Sequence, residues 1–256
     1  MTPNPILKVL SVLSKHKVKA LLIGGQACII YGAAEFSRDS DFVILSTFDN
    51  LARMRKALKT LKAKPIYVPP FNERYLESGH ACHFRCGAID VKGLRIDVMA
   101  KLRGCDEFDT LWKRRKRLSI ERGLTINIIG LRDLVRSKKT QRDKDWLMLK
   151  RLVNNDIILK KYKAAAGRIG WWFGECTDTG MLVDLARRYR RVAKESVKDR
   201  PLISSAIRGD ESGLLIKLNR EKDDERKKDM AYWLPLKKEL EALRHQVSFS
   251  KRARGA

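Results

Sequence analysis

The sequence predicts an α+β protein in which a domain containing a sheet is followed by a mainly helical, basic C-terminal domain. Over residues 1–154, short apolar runs typical of strands alternate with stretches that carry apolar residues at helical spacing. Beyond about residue 155 the strand signals thin out, and long polar helices are predicted over 157–170, 178–196 and 222–246. We therefore place the domain boundary between residues 154 and 155.

The composition indicates a partner with many negative charges. The chain has 256 residues, with 55 Lys and Arg against 30 Asp and Glu, and a formal net charge of +25. Nucleic acid is the commonest partner of so basic a protein. No apolar run approaches the roughly 20 residues that cross a bilayer, and the N-terminus lacks the cleavage pattern of a secretory signal. We expect a soluble cytoplasmic protein with no membrane partner.

The stretch from Ala20 to Leu45 organises the first domain. An amphipathic helix over 5–17 leads into a strand over 20–23, a Gly24-Gly25 turn, and a short apolar helix over about 26–32. A Gly-Gly turn before a helix lets backbone N–H groups approach a phosphate closely, and the helix N-terminus favours the negative charge. The turn is therefore a candidate phosphate site.

A second strand follows this helix and carries Asp39 and Asp41 at its start. Two acids that are two residues apart on a strand point to the same face of the sheet. Such spacing is typical of metal-binding carboxylates. Together, the glycine turn and the acidic pair suit a triphosphate and its magnesium.

The order of these features resembles the nucleotidyltransferase superfamily that includes DNA polymerase beta. The shared pattern is GG, an apolar helix, S-x-D-x-D and an apolar strand, matched here by Gly24, Gly25, Ser37, Asp39 and Asp41. Relatives often have an aliphatic residue between the two acids, where this chain has Ser40. The resemblance implies a nucleotidyltransferase-type mixed sheet flanked by helices, with a third carboxylate on a later strand.

Asp97 is our candidate for the third carboxylate. It lies in the otherwise apolar run LRIDVMA, and a buried strand needs a functional reason to hold an acid. Asp90 is the competing candidate. The resemblance implies that Asp39, Asp41 and Asp97 bind two Mg²⁺ ions and are the catalytic residues.

A later segment, GLRDLVRSKKTQRDKDWLMLKRLV, resembles the C-terminal motif of AbiEii-like nucleotidyltransferases. By position, this resemblance implies that Lys138 is the lysine that contacts phosphate, with Arg142 nearby. If the alignment is shifted by one residue, Lys139 takes the role of Lys138. A lysine aimed at the β and γ phosphates stabilises departing pyrophosphate. The alternative interpretation is a charged turn between helices.

Two further clusters have less specific patterns. His80, Cys82, His83 and Cys86 lie close in sequence, but their spacing matches no recognised zinc finger, so a role in the core or an edge strand is favoured. A helix predicted over 105–117 ends in the basic cluster KRRKR, which either touches phosphates or complements the helix dipole.

These patterns predict a metal-dependent nucleotidyltransferase that transfers an NMP from an NTP to RNA, with a tRNA 3′ end as the expected acceptor. Its AbiEii-like relatives include toxins of toxin–antitoxin and phage-defence systems, which implies a possible cognate antitoxin. A first alternative is an adenylyltransferase for aminoglycoside-like antibiotics, although the basic surplus suits a cationic ligand poorly. A second alternative is a catalytically silent nucleic-acid-binding protein of the same fold.

Overall fold

The structure is a computed structural model that describes residues 5–34, 36–120 and 123–254, with side chains described as far as residue 246. The chain divides into two compact units. Unit 1 takes the described residues within 1–30, 34–137 and 231–256. Unit 2 takes 31–33 and 138–230.

Unit 1 is built on a seven-stranded mixed sheet with the strand order β3-β4-β5-β2-β1-β7-β6. The strands are β1 (Ala20–Ile23), β2 (Asp39–Ile44), β3 (Lys64–Pro65), β4 (Cys82–Arg85), β5 (Arg95–Met99), β6 (Lys116–Ser119) and β7 (Thr125–Ile128). The pairs β1–β7 and β2–β5 are parallel, and the remaining neighbours are antiparallel. The prediction of a mixed sheet accompanied by helices is confirmed.

The described residues before 138 form six α-helices of unit 1. They are α1 (Pro5–Lys15), α2 (Gly24–Ile30), α3 (Phe48–Thr60), α4 (Glu73–Glu77), α5 (Phe108–Lys113) and α6 (Leu131–Ser137). Both α1 and α3 bury an apolar stripe at helical spacing, as their sequences predict. All four residues of β1 are buried, which agrees with its central place in the sheet.

The helix predicted over 105–117 is shorter in the structure. The helix α5 ends at Lys113, and the chain then forms the edge strand β6, which pairs with β7. The basic cluster KRRKR therefore runs from a helix end into an edge strand. The sequence of this segment has helical periodicity, but its second half forms a strand because it pairs with β7. Such pairing is a nonlocal interaction, which a local sequence pattern does not reveal.

Unit 2 is helical. Its helices are α7 (Asp143–Lys160), α8 (Ala166–Glu175), α9 (Thr179–Arg188), α10 (Arg190–Ser196), α11 (Ile203–Arg208) and the first part of the long helix α12 (Glu211–Arg254). The predicted boundary between residues 154 and 155 lies inside α7, whereas the compact units divide between residues 137 and 138. Residues 231–254 of α12 belong to unit 1.

The core of unit 2 contains the side chains of Trp172 and Phe173, which are fully buried. Trp172 Nε1 donates a 2.9 Å hydrogen bond to Asp156 Oδ2, and Arg168 pairs with the same carboxylate. Because the indole N–H and the carboxylate satisfy each other, burial of both groups leaves no unpaired donor there. Trp172 and Phe173 are thus packing residues of this unit.

No helix in the described parts of the chain is long and apolar enough to span a membrane.

Candidate functional site

The central strands of unit 1 place the predicted acids beside one another. Because β2 and β5 are parallel and in register, Asp41 lies opposite Asp97, and Asp39 lies opposite Arg95. Residues opposed in this way, and residues two apart on one strand, project from the same face of a sheet. Asp39, Asp41 and Asp97 therefore share one face. Asp90 lies instead on a short 3₁₀ turn and pairs with Lys8 of α1 at 3.1 Å.

The glycine turn closely approaches the second acid. Gly24 follows β1 directly and is the first residue of α2, and its φ of +64° is a conformation that L side chains rarely adopt. A β-carbon added there would lie 1.9 Å from Asp41 Oδ2, and one added at Gly25 would lie 2.5 Å from Ser37 Oγ. The two glycines are therefore needed so that the Asp41 carboxylate and the Ser37 hydroxyl can approach the turn.

The loop before β2 is held to the turn by polar contacts. Gln26 Nε2 donates to the Ser37 carbonyl at 3.1 Å, and Ser37 Oγ donates to the Asp39 carbonyl at 3.2 Å. These bonds fix the S-x-D-x-D segment against the start of α2. The sequence-predicted residues of unit 1 are thus brought together, namely Gly24, Gly25, Ser37, Asp39, Asp41 and Asp97.

Asp97 is held by two neighbouring side chains. Its Oδ1 atom accepts a 2.7 Å hydrogen bond from Arg95 Nε and lies 2.9 Å from His83 Nδ1. Burial raises the pKa of Asp97, but the hydrogen bonds and charges of His83 and Arg95 outweigh it and leave the pKa below its ordinary value. The carboxylate is therefore ionised and partly neutralised by its neighbours.

The donor set fits magnesium, because carboxylate oxygens are the ligands that Mg²⁺ prefers and the three acids share a sheet face. The side chains of these three acids are not arranged around a common point where an ion could bind. Within the described residues, no group of three or more His, Cys, Asp or Glu side chains is placed to hold a metal. Arg95 and His83 both contact Oδ1 of Asp97, so a metal ion at that oxygen would compete with them.

Arg95 is a residue that the sequence interpretation missed. It contacts Asp97, its Nη2 lies 3.1 Å from His83 Nδ1, and its guanidinium lies 5.8 Å from the centre of the Tyr67 ring. The spacing R-x-D on one strand could have revealed it, since residues two apart share a face. His83 could not be found in this way, because its place depends on the β4–β5 register.

The predicted phosphate ligands Lys138 and Arg142 both lie in unit 2 and contact one carboxylate. Lys138 Nζ lies 3.0 Å from Asp145 Oδ1, and Arg142 Nη2 lies 2.7 Å from Asp145 Oδ2. Lys138 and Asp145 are almost fully buried, whereas Arg142 is largely exposed. The alternative lysine, Lys139, pairs with Glu175 at 2.7 Å. In the structure Lys138 is thus the cation of a buried ion pair.

The His and Cys cluster is dispersed among different partners. His80 contacts Glu239 at 2.8 Å, and His83 belongs to the Arg95 and Asp97 network. Burial raises the pKa of the Cys82 thiol to about 12 and that of the Cys86 thiol to about 11. These four side chains form no metal-binding group within the described residues.

Ser40, which stands between the two acids, supports a prediction about stability. Its side chain is fully buried, and Oγ has no hydrogen-bond partner among the residues that the structure describes. An unpaired buried hydroxyl is unfavourable, so we expect Ser40→Ala to raise the free energy of unfolding by about 1 kcal/mol in a urea titration. Ser137→Ala is the control. Ser137 Oγ donates a 2.7 Å hydrogen bond to the Leu134 carbonyl, and we expect the loss of this bond to destabilise the protein. A destabilised Ser40→Ala protein would contradict this interpretation.

Two comparisons of the sequence with known proteins found no match. No protein-family model matches the chain, and no curated protein shows significant sequence similarity to it. The function must therefore be inferred from the geometry of the site and from the motif resemblance.

Proposed function

We propose that this chain is a magnesium-dependent nucleotidyltransferase of the DNA polymerase beta type, which transfers a nucleoside monophosphate from an NTP to an acceptor hydroxyl. The observation that carries the proposal is the register of β2 and β5, which sets Asp41 beside Asp97. The close approach of the Asp41 carboxylate to Gly24, and of the Ser37 hydroxyl to Gly25, supports it. A mixed sheet with helices is compatible with that fold.

In this proposal the residues of the chain bind and orient the substrates. Gly24 and Gly25 offer backbone N–H groups to the triphosphate, and Ser37 offers its hydroxyl. Two magnesium ions held by Asp39, Asp41 and Asp97 would neutralise phosphate charge and lower the pKa of the acceptor hydroxyl. Lys138 and Arg142 remain predicted phosphate ligands, by the motif resemblance alone.

The reaction is an in-line displacement at the α-phosphorus. The acceptor oxygen forms a new bond to phosphorus, the bond to the bridging oxygen breaks, and pyrophosphate leaves with the bonding electrons. The acceptor proton passes to water or to the Asp97 carboxylate. Catalysis of this kind comes mainly from positioning and charge neutralisation, which is the task that clustered carboxylates and a glycine turn can perform.

The proposed acceptor is RNA, with a tRNA 3′ end as the specific candidate. The net charge of +25 supports a polyanionic acceptor and disfavours the aminoglycoside alternative, whose cationic ligands suit an acidic site. A role as a toxin with a cognate antitoxin is part of the same proposal. It predicts that expression arrests growth and that Asp41→Asn relieves the arrest.

The direct test incubates the purified chain with each labelled NTP, magnesium and total RNA. We expect label in RNA with the wild type and a reduction of about a thousand-fold or more with Asp41→Asn, because the variant loses a charge that binds metal. Asp90→Asn is the matched control, since that side chain is half exposed and pairs with Lys8. Equal labelling of RNA by the wild type and by Asp41→Asn would contradict the proposal.

A second candidate is the catalytically silent protein of the same fold, and one observation favours it. The Asp97 carboxylate already has two cationic or hydrogen-bonding partners, Arg95 and His83. Calorimetric titration with NTP in the presence and absence of magnesium separates the candidates. Magnesium-dependent NTP binding supports the enzyme, whereas RNA affinity without such binding supports the silent protein.

A further inference from the structure

Unit 2 contains an open groove between the end of α7 and the helix α9, with a volume of about 570 Å³. Apolar side chains form part of its wall, namely Ile157, Met181 and Leu185. Basic side chains line the rest, namely Lys161, Arg187 and Arg188. The groove therefore combines an apolar surface with several cations, and the reaction described above uses none of these residues.

An exposed aromatic ring stands at the edge of this groove. Tyr162 is 75% exposed. Its ring centre lies 5.2 Å from Lys161 Nζ and 4.8 Å from Arg188 Cζ, and both of these cations line the groove. Cation–π contacts of this kind stabilise the side chains without burying the ring. A large part of the ring is therefore accessible to a partner.

The backbone that carries Tyr162 is anchored to the core. The Tyr189 hydroxyl donates a hydrogen bond to the Lys161 carbonyl, immediately before Tyr162. The Tyr189 ring lies 6.4 Å from that of the fully buried Trp172, which is itself bonded to Asp156. Because this chain of contacts reaches the core, the groove edge is a built feature and not the tip of a free loop.

Basic residues predominate in the chain segments that form the groove. The exposed residues Lys160, Lys163, Arg190 and Arg191 flank the lining segments in sequence, and Arg191 is paired with Glu195 at 3.5 Å. One acid, Asp184, also lines the groove. It lies 3.7 Å from Arg187, and both side chains are 74% exposed, so solvent weakens this pair. The surroundings of the groove therefore suit a polyanion.

We propose that this groove binds single-stranded nucleic acid, with an unpaired base stacked on Tyr162 and the phosphates held by Lys161, Arg187 and Arg188. Aromatic rings beside cations are the features that bind single strands, since every base offers a face for stacking. In a duplex the bases are already stacked on their neighbours. The identification of this strand with the acceptor RNA rests on the proposed function, whereas the binding itself does not.

The test measures fluorescence anisotropy of labelled oligonucleotides of about 10 nucleotides, a length within the usual range for one binding groove. The full chain is used without NTP or magnesium, against single-stranded RNA, single-stranded DNA and duplex RNA. We expect Tyr162→Ala to weaken single-strand binding about ten-fold and Tyr162→Phe to retain it, because stacking needs the ring and not the hydroxyl. Arg188→Gln should reduce the slope of log affinity against log salt by about 0.7.

Arg220→Gln is the matched control, because Arg220 is exposed on α12 and does not line the groove. Circular dichroism of each variant checks that it is folded. The proposal is overturned if Tyr162→Ala weakens binding no more than Arg220→Gln, if duplex RNA binds as tightly as the single strand, or if no oligonucleotide binds. Preference for RNA over DNA, or equal affinity, supports it when the Tyr162 dependence is present. Oligonucleotide binding without label transfer would reject the nucleotidyltransferase and leave the groove assignment intact.

Discussion

Gly24→Ala is expected to lower the free energy of unfolding by about 3 kcal/mol and to abolish nucleotide transfer. Two effects add. The φ of +64° disfavours any L side chain, and the new methyl group would lie 1.9 Å from Asp41 Oδ2. Rotating the carboxylate cannot relieve the clash, since Asp41 Cβ would also lie only 2.8 Å away. Urea unfolding and the labelled-NTP assay measure the two results.

Gly93→Ala isolates the backbone contribution. Gly93 has φ of +84°, and an added β-carbon there would meet nothing within 4 Å. We expect Gly93→Ala to lower the free energy of unfolding by about 1–2 kcal/mol and to leave nucleotide transfer unchanged. If Gly24→Ala destabilises the protein no more than Gly93→Ala, the close approach of Asp41 to the turn is not as described.

Asp145→Asn is expected to lower the free energy of unfolding by about 3 kcal/mol or more, because it leaves the buried Lys138 ammonium without its counter-ion. Asp145 also accepts 2.7 Å hydrogen bonds from Thr140 Oγ1 and Arg142 Nε. Both oxygens of the carboxylate are therefore used. Urea titration at neutral pH measures the loss.

The double variant Lys138→Met/Asp145→Leu is the informative control. Replacing both charges with apolar groups of similar size removes the unpaired ion, so most of the stability should return. If the double variant is as unstable as Asp145→Asn, the buried pair is not the origin of the effect. The double variant also tests the phosphate role of Lys138, since a folded protein with normal NTP affinity would exclude it.

The same carboxylate predicts a dependence on pH. Burial raises the pKa of Asp145, but Lys138, Arg142 and Thr140 outweigh it and hold the pKa below its ordinary value. A lowered pKa means that the carboxylate contributes stability above the pKa of an unfolded-state aspartate and loses it as pH falls through the folded-state pKa. The difference in the free energy of unfolding between the wild type and Asp145→Asn should therefore become smaller as the pH is lowered.

Much of unit 1 could be predicted from the sequence because its signals are local. The apolar run at Ala20–Ile23 and the alternation that begins at Asp39 indicate strands by composition and period, and the structure confirms both. The helices α1 and α3 follow from their apolar stripes. Each of these patterns is contained within a few consecutive residues.

Strand order is not local and could not be predicted in the same way. The approach of Asp97 to Asp41 depends on the β2–β5 pairing. The family resemblance suggested that a third carboxylate lies there, whereas the residues alone left Asp90 as a competing candidate. The contact of His83 with Asp97 depends on a second pairing, between β4 and β5. The β6 edge strand was missed because its basic residues resemble a helix end.

The path of α12 restricts how this protein can be divided for experiments. Tyr232, Leu236 and Glu239 lie beside Gly79 and His80, although about 160 residues of sequence intervene. A fragment that stops at Ser137 would remove these neighbours, leaving the His80 imidazole without its carboxylate and uncovering the surface beside Gly79. A soluble sheet fragment should therefore be sought by splicing 231–254 back onto the first segment, and not by simple truncation.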